Sequence, residues 1–179
     1  MGSEVLPDPV SIVMGVLFSQ EALLARAMEE CESLFGPVEM ESDTVPFEYT
    51  TYYDEEMGKG VNRCFWSFND PFPRGALADA KLATNRIERE LSINGYRKIN
   101  LDPGLLTLES LVLATTKPYY HRIYLSKGIY AETTLAYREG GFAMMPWTYP
   151  DYREEWVRQF FLGVRKRLSK KPLTDFLRQ

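Results

Sequence analysis

The segment HRIYLSKGIYAE, residues 121–132, contains the largest group of candidate ligand-binding and catalytic residues in this sequence. It includes the only histidine of the chain, His121. A three-residue loop, 126–128, with Gly128 in the left-handed conformation would fold the segment into a β-hairpin. The hairpin would then pair residues of matching character: Leu125 with Ile129, Tyr124 with Tyr130, Ile123 with Ala131, and Arg122 with Glu132.

One face of this hairpin is predicted to be polar and aromatic. Because side chains alternate along a strand, that face would present Arg122, Tyr124, Tyr130 and Glu132. Two tyrosines can stack on a ring, and an arginine beside a glutamate can hold a polar group. The alternative is a cross-strand ion pair on a solvated surface, with aromatic packing around it.

The preceding strand, 96–102, carries polar residues in the same alternation, and we expect them to line the same face. The candidate ligand-binding residues are therefore Lys98, Asn100, Arg122, Tyr124 and Tyr130. The candidate catalytic residues are Asp102, His121 and Glu132. Asp102 and Glu132 are also the candidate metal ligands, with Mg²⁺ as the candidate cofactor. For His121, a structural role in a partly buried position is the alternative.

Three further clusters have both a functional and a structural interpretation. The acidic and aromatic loop at 52–56 could hold Mg²⁺ or could be a solvated loop. Lys81, Asn85 and Glu88 share one helical stripe, which favours a solvated face. The loop PWTYPDY at 146–152 could be a ligand lid, although packing on the core is favoured.

Composition and missing motifs exclude several classes of function. The net charge of −4 argues against binding of nucleic acid. No long apolar run could span a bilayer, and the first residues do not resemble a secretory signal, so a cytoplasmic location is expected. No P-loop, dinucleotide-binding glycine motif, HExxH or GxSxG motif is present.

Hydrophobic patterns predict the elements that position these residues. Strands are expected at 11–18, 46–53, 61–68, 96–102 and 111–116, and helices at 20–35 and 76–91. A turn is expected at Pro103-Gly104. After the hairpin, a second turn at 139–141 follows. A terminal helix is expected from a capping box formed by Asp151 and Glu154.

This order predicts an α+β fold, with a ferredoxin-like βαββαβ core extended by C-terminal β-hairpins and a terminal helix. Helices would cover one face of a mostly antiparallel sheet and leave the other face open. We expect one domain over 1–179, with an N-terminal arm at 1–10 and a C-terminal tail at 172–179.

Five blocks carry a resemblance to a known family: FEYTTYYDEEMG, KLATNRIE, NLDPGLLTLESLVLATTK, HRIYLSKGIYAETTLAY and PWTYPDY. In these blocks, and over nearly its whole length, the chain resembles a prokaryotic family called domain of unknown function 4416. The resemblance implies a coherent fold and no activity.

Two functional hypotheses follow from the residues. The first is binding of a polar or anionic small molecule, nucleotide-like or a sugar phosphate, on the open sheet face. Metal-assisted phosphoryl transfer or hydrolysis would be the accompanying chemistry. The second is a non-catalytic interaction module that forms a homodimer through the open face or the edges of the sheet.

Overall fold

The first strand lies in the middle of the structure because its sequence, VSIVMGVLF, is apolar on both faces. All nine of its residues are buried. It pairs with one strand on each side, both antiparallel. A strand that is covered on both faces needs a continuous apolar run, which is why this segment was recognisable from the sequence.

The computed structural model describes residues 2–4 and 10–171. Most of the predicted N-terminal arm and the whole predicted tail, 172–179, lie outside the described residues. The strands in the described part are β1 (Val10–Phe18), β2 (Val38–Glu41), β3 (Val45–Pro46), β4 (Asn62–Phe72), β5 (Ile99–Leu106), β6 (Ser110–Thr115), β7 (Ile123–Ser126), β8 (Ile129–Arg138) and β9 (Gly141–Met144). The helices there are α1 (Glu21–Phe35), α2 (Asp54–Met57), α3 (Leu77–Glu90) and α4 (Glu155–Leu168).

These strands form one antiparallel sheet, and the fold is α+β. The order across the sheet is β2-β4-β1-β5-β6-β8-β7, with β3 paired to β4 and β9 paired to β8. Every pairing between named strands is antiparallel.

Helices α1 and α3 cover one face of the sheet. Their apolar stripes contact alternate residues of β1, β4 and β5, among them Met14, Trp66 and Leu101. The free cysteines Cys31 and Cys64 are buried in the same layer. Burial is the main cause that raises the pKa of each thiol to about 12, so both thiols are protonated and unreactive at neutral pH.

The opposite face is not open, which corrects the expectation from the sequence. Helix α4 packs there on the other set of alternate residues, including Val13, Phe65 and Leu113. Met57 and Val61 cover Leu17 on the same face. Helix α4 can cover this face because its apolar stripe provides a hydrophobic surface that packs against the sheet.

The sheet splits between β5 and β6. Pairing between these two strands covers only 104–106 on β5 and 111–113 on β6. In the part of β5 before Gly104, side chains of α3 form hydrogen bonds with the backbone groups that β6 does not pair. Lys81 Nζ donates to the Leu101 carbonyl at 2.8 Å, and the Leu101 amide donates to Glu88 Oε1 at 2.7 Å. The split creates a gap in the sheet that is lined by polar groups.

Several predicted elements were placed wrongly. The predicted strand at 46–53 is a loop after the two residues of β3, and the strand that follows α1 is β2. The predicted turn at Pro103-Gly104 lies inside β5, which continues to Leu106. The actual turn is held by Thr107, whose Oγ1 accepts hydrogen bonds from the amides of Glu109 and Ser110.

The predicted hairpin exists, but its loop is shorter. Tyr124 pairs with Tyr130, and Ile123 pairs with Ala131, as expected. Ser126, rather than Leu125, pairs with Ile129, because both Lys127 and Gly128 adopt positive φ in a two-residue turn. Ile123 is 72% exposed, so the hairpin face that was predicted to be buried is buried only on β8.

The predicted capping box is also wrong. Helix α4 begins at Glu155, and the residue before it makes no side-chain cap. Asp151 lies in a short 3₁₀ turn, Asp151–Arg153, and is buried. In the part of the chain that the structure describes, no helix is long and apolar enough to cross a membrane.

Candidate functional site

A cleft of about 740 Å³ opens at the split in the sheet. It lies between the loop 47–56, helix α3, the diverging ends of β5 and β6, and the turn at 149–152. This volume is within the range of pockets that hold a small-molecule ligand. The sheet face, α3 and two loops therefore contribute side chains to one concave site.

Arg63 lies in the floor of the cleft and is almost fully buried. Its guanidinium forms an ion pair with Asp151. The rings of Phe47, Phe65 and Tyr152 surround it at 5.1 to 5.5 Å from each centroid. Burial opposes its charge, but Asp151, Tyr152 and Asp102 together more than compensate, and the pKa of Arg63 is raised. Arg63 is therefore a permanent buried cation beneath the cleft.

Gly15 of β1 makes room for this buried group. A Cβ atom at position 15 would lie 2.5 Å from Tyr152 Oη and 3.0 Å from Arg63 Nη1. Burial raises the pKa of Tyr152 well above its ordinary value, so its hydroxyl keeps its proton. Gly15 thus allows two hydrogen-bond donors to come together above β1.

A second polar group connects α3 to β5 inside the cleft. Lys81 Nζ lies 3.0 Å from Asp102 Oδ1, and Asn100 Nδ2 donates to Asp102 Oδ2 at 2.6 Å. Burial acts to raise the pKa of Asp102, but Lys81 and Arg63 lower it below its ordinary value. Asp102 is therefore an ionised carboxylate that faces the cleft.

Arg97 joins this group to the loop on the other side of the cleft. It donates to Asn100 Oδ1 at 2.8 Å, to Glu88 Oε2 at 3.0 Å and to Glu56 Oε2 at 2.8 Å. Burial raises the pKa of Glu88 despite the lowering effect of Lys81. Through Arg97, the loop that carries α2 is attached to α3 and β5.

Glu132 closes the far end of the cleft. Its side chain is 1% exposed, and its Oε2 accepts from Arg122 Nε at 2.7 Å and lies 2.9 Å from His121 Nε2. The His121 ring stacks on Trp147 with a centroid separation of 4.4 Å. Arg122 also donates to Tyr149 Oη at 2.8 Å. Behind Glu132, the hairpin and the 147–152 loop are thus joined.

Aromatic side chains form one wall of the cleft. Tyr52 and Tyr53 contact each other edge to face, and Phe47 contacts both Tyr49 and Tyr53. Across the mouth, Lys117 Nζ lies 3.3 Å from Tyr52 Oη. Tyr52 is 61% exposed, so part of its ring is accessible to a ligand beside its contacts with Tyr53 and Lys117.

The predicted site residues fall into three groups. Asn100, Asp102 and Glu132 line the cleft. Lys98, His121 and Arg122 lie behind its walls, where Lys98 contacts the carbonyls of Glu56 and Met57. Tyr124 and Tyr130 contact each other at 5.4 Å on the hairpin, away from the cleft. The cleft is therefore built from the strand 96–102 and Glu132 more than from the hairpin face.

The stripe of Lys81, Asn85 and Glu88 is not a solvated face, which corrects the favoured interpretation. Lys81 and Glu88 are each 5% exposed, and all three residues line the cleft. The arginine at position 63 and the aspartate at 151 were not selected from the sequence. The sequence does contain a signal for Arg63, because it is a charged residue at an inward position of the apolar strand VNRCFWSF.

Opposite charges balance in the cleft lining. Five cationic side chains line it, namely Arg63, Lys81, Arg89, Arg97 and Lys117. Five carboxylates line it as well, namely Glu56, Glu88, Asp102, Glu132 and Asp151. Among the described residues, no three His, Cys, Asp or Glu side chains form a group that could hold a metal ion.

Several buried polar atoms near the cleft have no hydrogen-bond partner. Nine such side-chain atoms occur in the described residues, and five of them belong to residues that line the cleft. These five are Arg63 Nε, Arg63 Nη1, Arg97 Nε, Glu132 Oε1 and Tyr152 Oη. Buried polar atoms are usually paired, so a concentration of unpaired ones indicates a place for a ligand or ordered water.

Comparison with known proteins identifies a family and no relative of known activity. No curated protein matches the chain, and no solved structure matches it. The family model described as Domain of unknown function (DUF4416) matches residues 8–168. The match covers most of the chain, and the chain belongs to this family of domains of unknown function.

Proposed function

We propose that this protein binds a polar small molecule, nucleotide-like or a sugar phosphate, in the cleft at the split between β5 and β6. The observation that carries the proposal is the group of unpaired buried donors and acceptors on residues that line a 740 Å³ concavity. A pocket of ligand size with convergent polar groups and perturbed pKa values is the default binding site of a protein.

The lining favours a ligand with mixed character. Most charges are already paired within the protein, as in Arg63 with Asp151 and Lys81 with Asp102. Such a lining recognises a molecule through hydrogen bonds as well as charge, and the Tyr52 wall offers a surface for a ring. A nucleotide or a sugar phosphate has all of these features.

Metal-assisted phosphoryl transfer or hydrolysis is the chemistry that this site would support. Asp102, which pairs with Gly15 in the sheet, would provide carboxylate oxygens, with Mg²⁺ held mainly by phosphate oxygens and water.

The fold that carries the cleft is proposed to contain a ferredoxin-like core. The strand order β2-β4-β1-β5, with all pairings antiparallel, and the position of α1 and α3 on one face support this assignment. In a split βαβ arrangement the two helices leave the opposite face for other elements. Here α4 and the 47–61 segment occupy that face.

A thermal-shift screen with nucleotides and sugar phosphates, each with and without Mg²⁺, tests the binding proposal. We expect at least one compound to raise the melting temperature. Tyr52→Ser should then weaken binding about fivefold, since loss of aromatic stacking costs about 1 kcal/mol. Tyr120→Ser is the matched control, because Tyr120 is 80% exposed and lies outside the cleft lining. No shift with any compound, or equal effects of both variants, would contradict the proposal.

A second candidate function is homodimerisation through the edge of the sheet. Strand β7 ends the strand order, and its residues Ile123, Tyr124 and Leu125 are 72%, 57% and 40% exposed. An exposed edge with apolar side chains is a surface on which another strand can pair. A second copy of the chain would supply that strand.

Light scattering coupled to size exclusion tests this candidate over a wide range of concentrations. A dimer that persists on dilution and is lost in Ile123→Lys supports it. Lys59→Glu, on the α2 side of the molecule, serves as the control for a general charge effect. A monomer at every concentration would exclude dimerisation through β7.

A further inference from the structure

Within the cleft, two unpaired donors converge at one point and an unpaired acceptor lies at another. Tyr152 Oη and Arg63 Nη1 both approach Gly15, as shown by their distances of 2.5 Å and 3.0 Å from the Cβ position of that residue. Neither atom has a hydrogen-bond partner. Glu132 Oε1 is also buried and unpaired, and it belongs to β8.

We propose that these atoms define the orientation of the ligand: its anionic group binds the unpaired donors of Arg63 and Tyr152, and a hydroxyl or amino group at its other end donates to Glu132 Oε1. This inference rests on the proposed function and specifies the ligand as a molecule with an anionic end and a donor end.

The anionic end is assigned by charge and hydrogen-bond type. Arg63 has N–H groups that Asp151 does not use, and the Tyr152 hydroxyl retains its proton. Hydrogen bonds from a guanidinium to a carboxylate or phosphate oxygen are among the strongest in proteins.

The donor end of the ligand is assigned from the one oxygen of Glu132 that has no hydrogen-bond partner. Arg122 and His121 both contact Oε2 of Glu132, and Oε1 has no partner. Burying a carboxylate oxygen without a donor is costly. A hydroxyl or amino group of the ligand would provide that donor.

The distance between the two ends sets the size of the ligand. Strands β5 and β6 lie between β1, which carries Gly15, and β8, which carries Glu132. Three strand spacings amount to about 14 Å between the backbones. A ligand that contacts both ends therefore has to reach across two intervening strands, and a nucleoside monophosphate with its phosphate at Arg63 extends over a comparable length.

Because the Tyr152 hydroxyl is buried and unpaired, its replacement can separate an effect on binding from an effect on folding. A buried hydroxyl without a partner reduces stability, so its removal should leave the ligand-free protein equally stable or more stable. The variant Tyr152→Phe removes this hydroxyl and little else. If the hydroxyl served only the fold, the variant would be less stable.

The experiment compares two probes, adenosine 5′-monophosphate and adenosine, on the wild type and Tyr152→Phe by calorimetric titration. In the wild type the monophosphate should bind more tightly than adenosine. In Tyr152→Phe this ratio should fall about tenfold, while adenosine binding and the melting temperature of the free protein do not fall. Ribose 5-phosphate and ribose provide the same comparison without a base. Tyr124→Phe is the control, since Tyr124 lies outside the cleft lining.

The donor end is tested with Glu132→Gln in the same titrations. Loss of affinity for both members of a probe pair, with an unchanged phosphate ratio, supports the assignment of Glu132. If the probes bind, and binding is sensitive to Tyr52→Ser, but the phosphate ratio is the same in Tyr152→Phe and the wild type, the proposed orientation is wrong and the cleft remains the binding site. If no probe binds the wild type, the proposed function fails together with this inference.

Discussion

The buried ion pair of Arg63 and Asp151 is the feature on which the floor of the cleft depends. The two residues are 88 positions apart in sequence, and each side chain is about 5% exposed or less. A buried pair seldom stabilises a fold more than apolar residues of similar volume would. Its presence beneath a cleft is therefore better explained by the charge that it keeps ready for a ligand than by stability.

Replacement of Gly15 with alanine tests the packing above Arg63. The new Cβ would overlap Tyr152 Oη, so we expect Gly15→Ala to lower the free energy of unfolding by about 1–3 kcal/mol. Gly75→Ala is the matched control, because nothing lies within 4 Å of a Cβ at position 75. Urea unfolding measures both variants. Equal stability of the two variants would show that Tyr152 does not lie above Gly15.

The lowered pKa of Asp102 predicts a dependence of stability on pH. A carboxylate whose pKa is lower in the folded state stabilises the fold above its ordinary value of 3.8, and this contribution is lost as the pH falls through the folded value. The wild type should therefore exceed Asp102→Asn in stability at pH 6, and the difference should shrink between pH 4 and pH 2. Urea unfolding across that range measures it.

The control for this pH effect is Asp79→Asn. Asp79 forms an exposed ion pair with Lys127, so its replacement should change stability little at any pH. A difference between the wild type and Asp102→Asn that stays constant down to pH 2 would contradict the contact between Asp102 and Lys81.

At the residue level, the sequence identified the strand residues Asn100 and Asp102 but not their partners. Alternation with Ile99 and Leu101 was enough to predict which way these side chains point. Arg63 and Asp151 were missed because their contact depends on how α4 folds back across the sheet. No local pattern carries that information, and the spacing of Asp151 and Glu154 also matched a capping box.

Helix α3 acts in this structure as a substitute for a neighbouring strand. Lys81 and Glu88 bond the backbone of Leu101, which has no strand partner on that side. The helix thereby allows β6 to diverge without leaving buried backbone groups unpaired. The cleft therefore depends on two helical side chains as much as on the sheet.

Replacement of Glu88 tests this role of α3. Glu88→Ala leaves the buried Leu101 amide without its acceptor and removes one acceptor of Arg97, and we expect a loss of about 1–3 kcal/mol in the free energy of unfolding. Glu90→Ala, on the exposed side of the same helix, should cost less than about 0.5 kcal/mol. Hydrogen exchange should also show faster exchange of the Leu101 amide in Glu88→Ala only. A protected Leu101 amide in that variant would contradict the account.

Long periodic elements were predictable, and short ones were not. Helices α1 and α3 and strands β1 and β4 followed from their apolar patterns. Strand β2 has four half-buried or exposed residues, so its pattern was too weak to detect. The aromatic segment 46–53 has strand propensity, but its rings pack over β4 as a cleft wall instead of pairing in the sheet. Packing between distant elements overrode local propensity there.

The whole molecule is a sheet covered on both faces with one concave gap. Helices α1 and α3 lie on one side, and α4 with the 47–61 segment lies on the other. The predicted open face does not exist, because the apolar stripe of the terminal helix had to be buried somewhere and the sheet offered the matching surface. The cleft is the part of the described surface where neither layer covers the polar residues at the diverging ends of β5 and β6.

Mapping of a bound probe by ¹⁵N NMR is the most direct test of the central claim that the cleft is the binding site. With any nucleotide or sugar phosphate that raises the melting temperature, we expect the largest shift changes at amides of 47–56, 97–102, 113–117 and 149–152. The hairpin residues 123–130 should change little. Shift changes centred on that hairpin, or spread evenly over the surface, would contradict the claim.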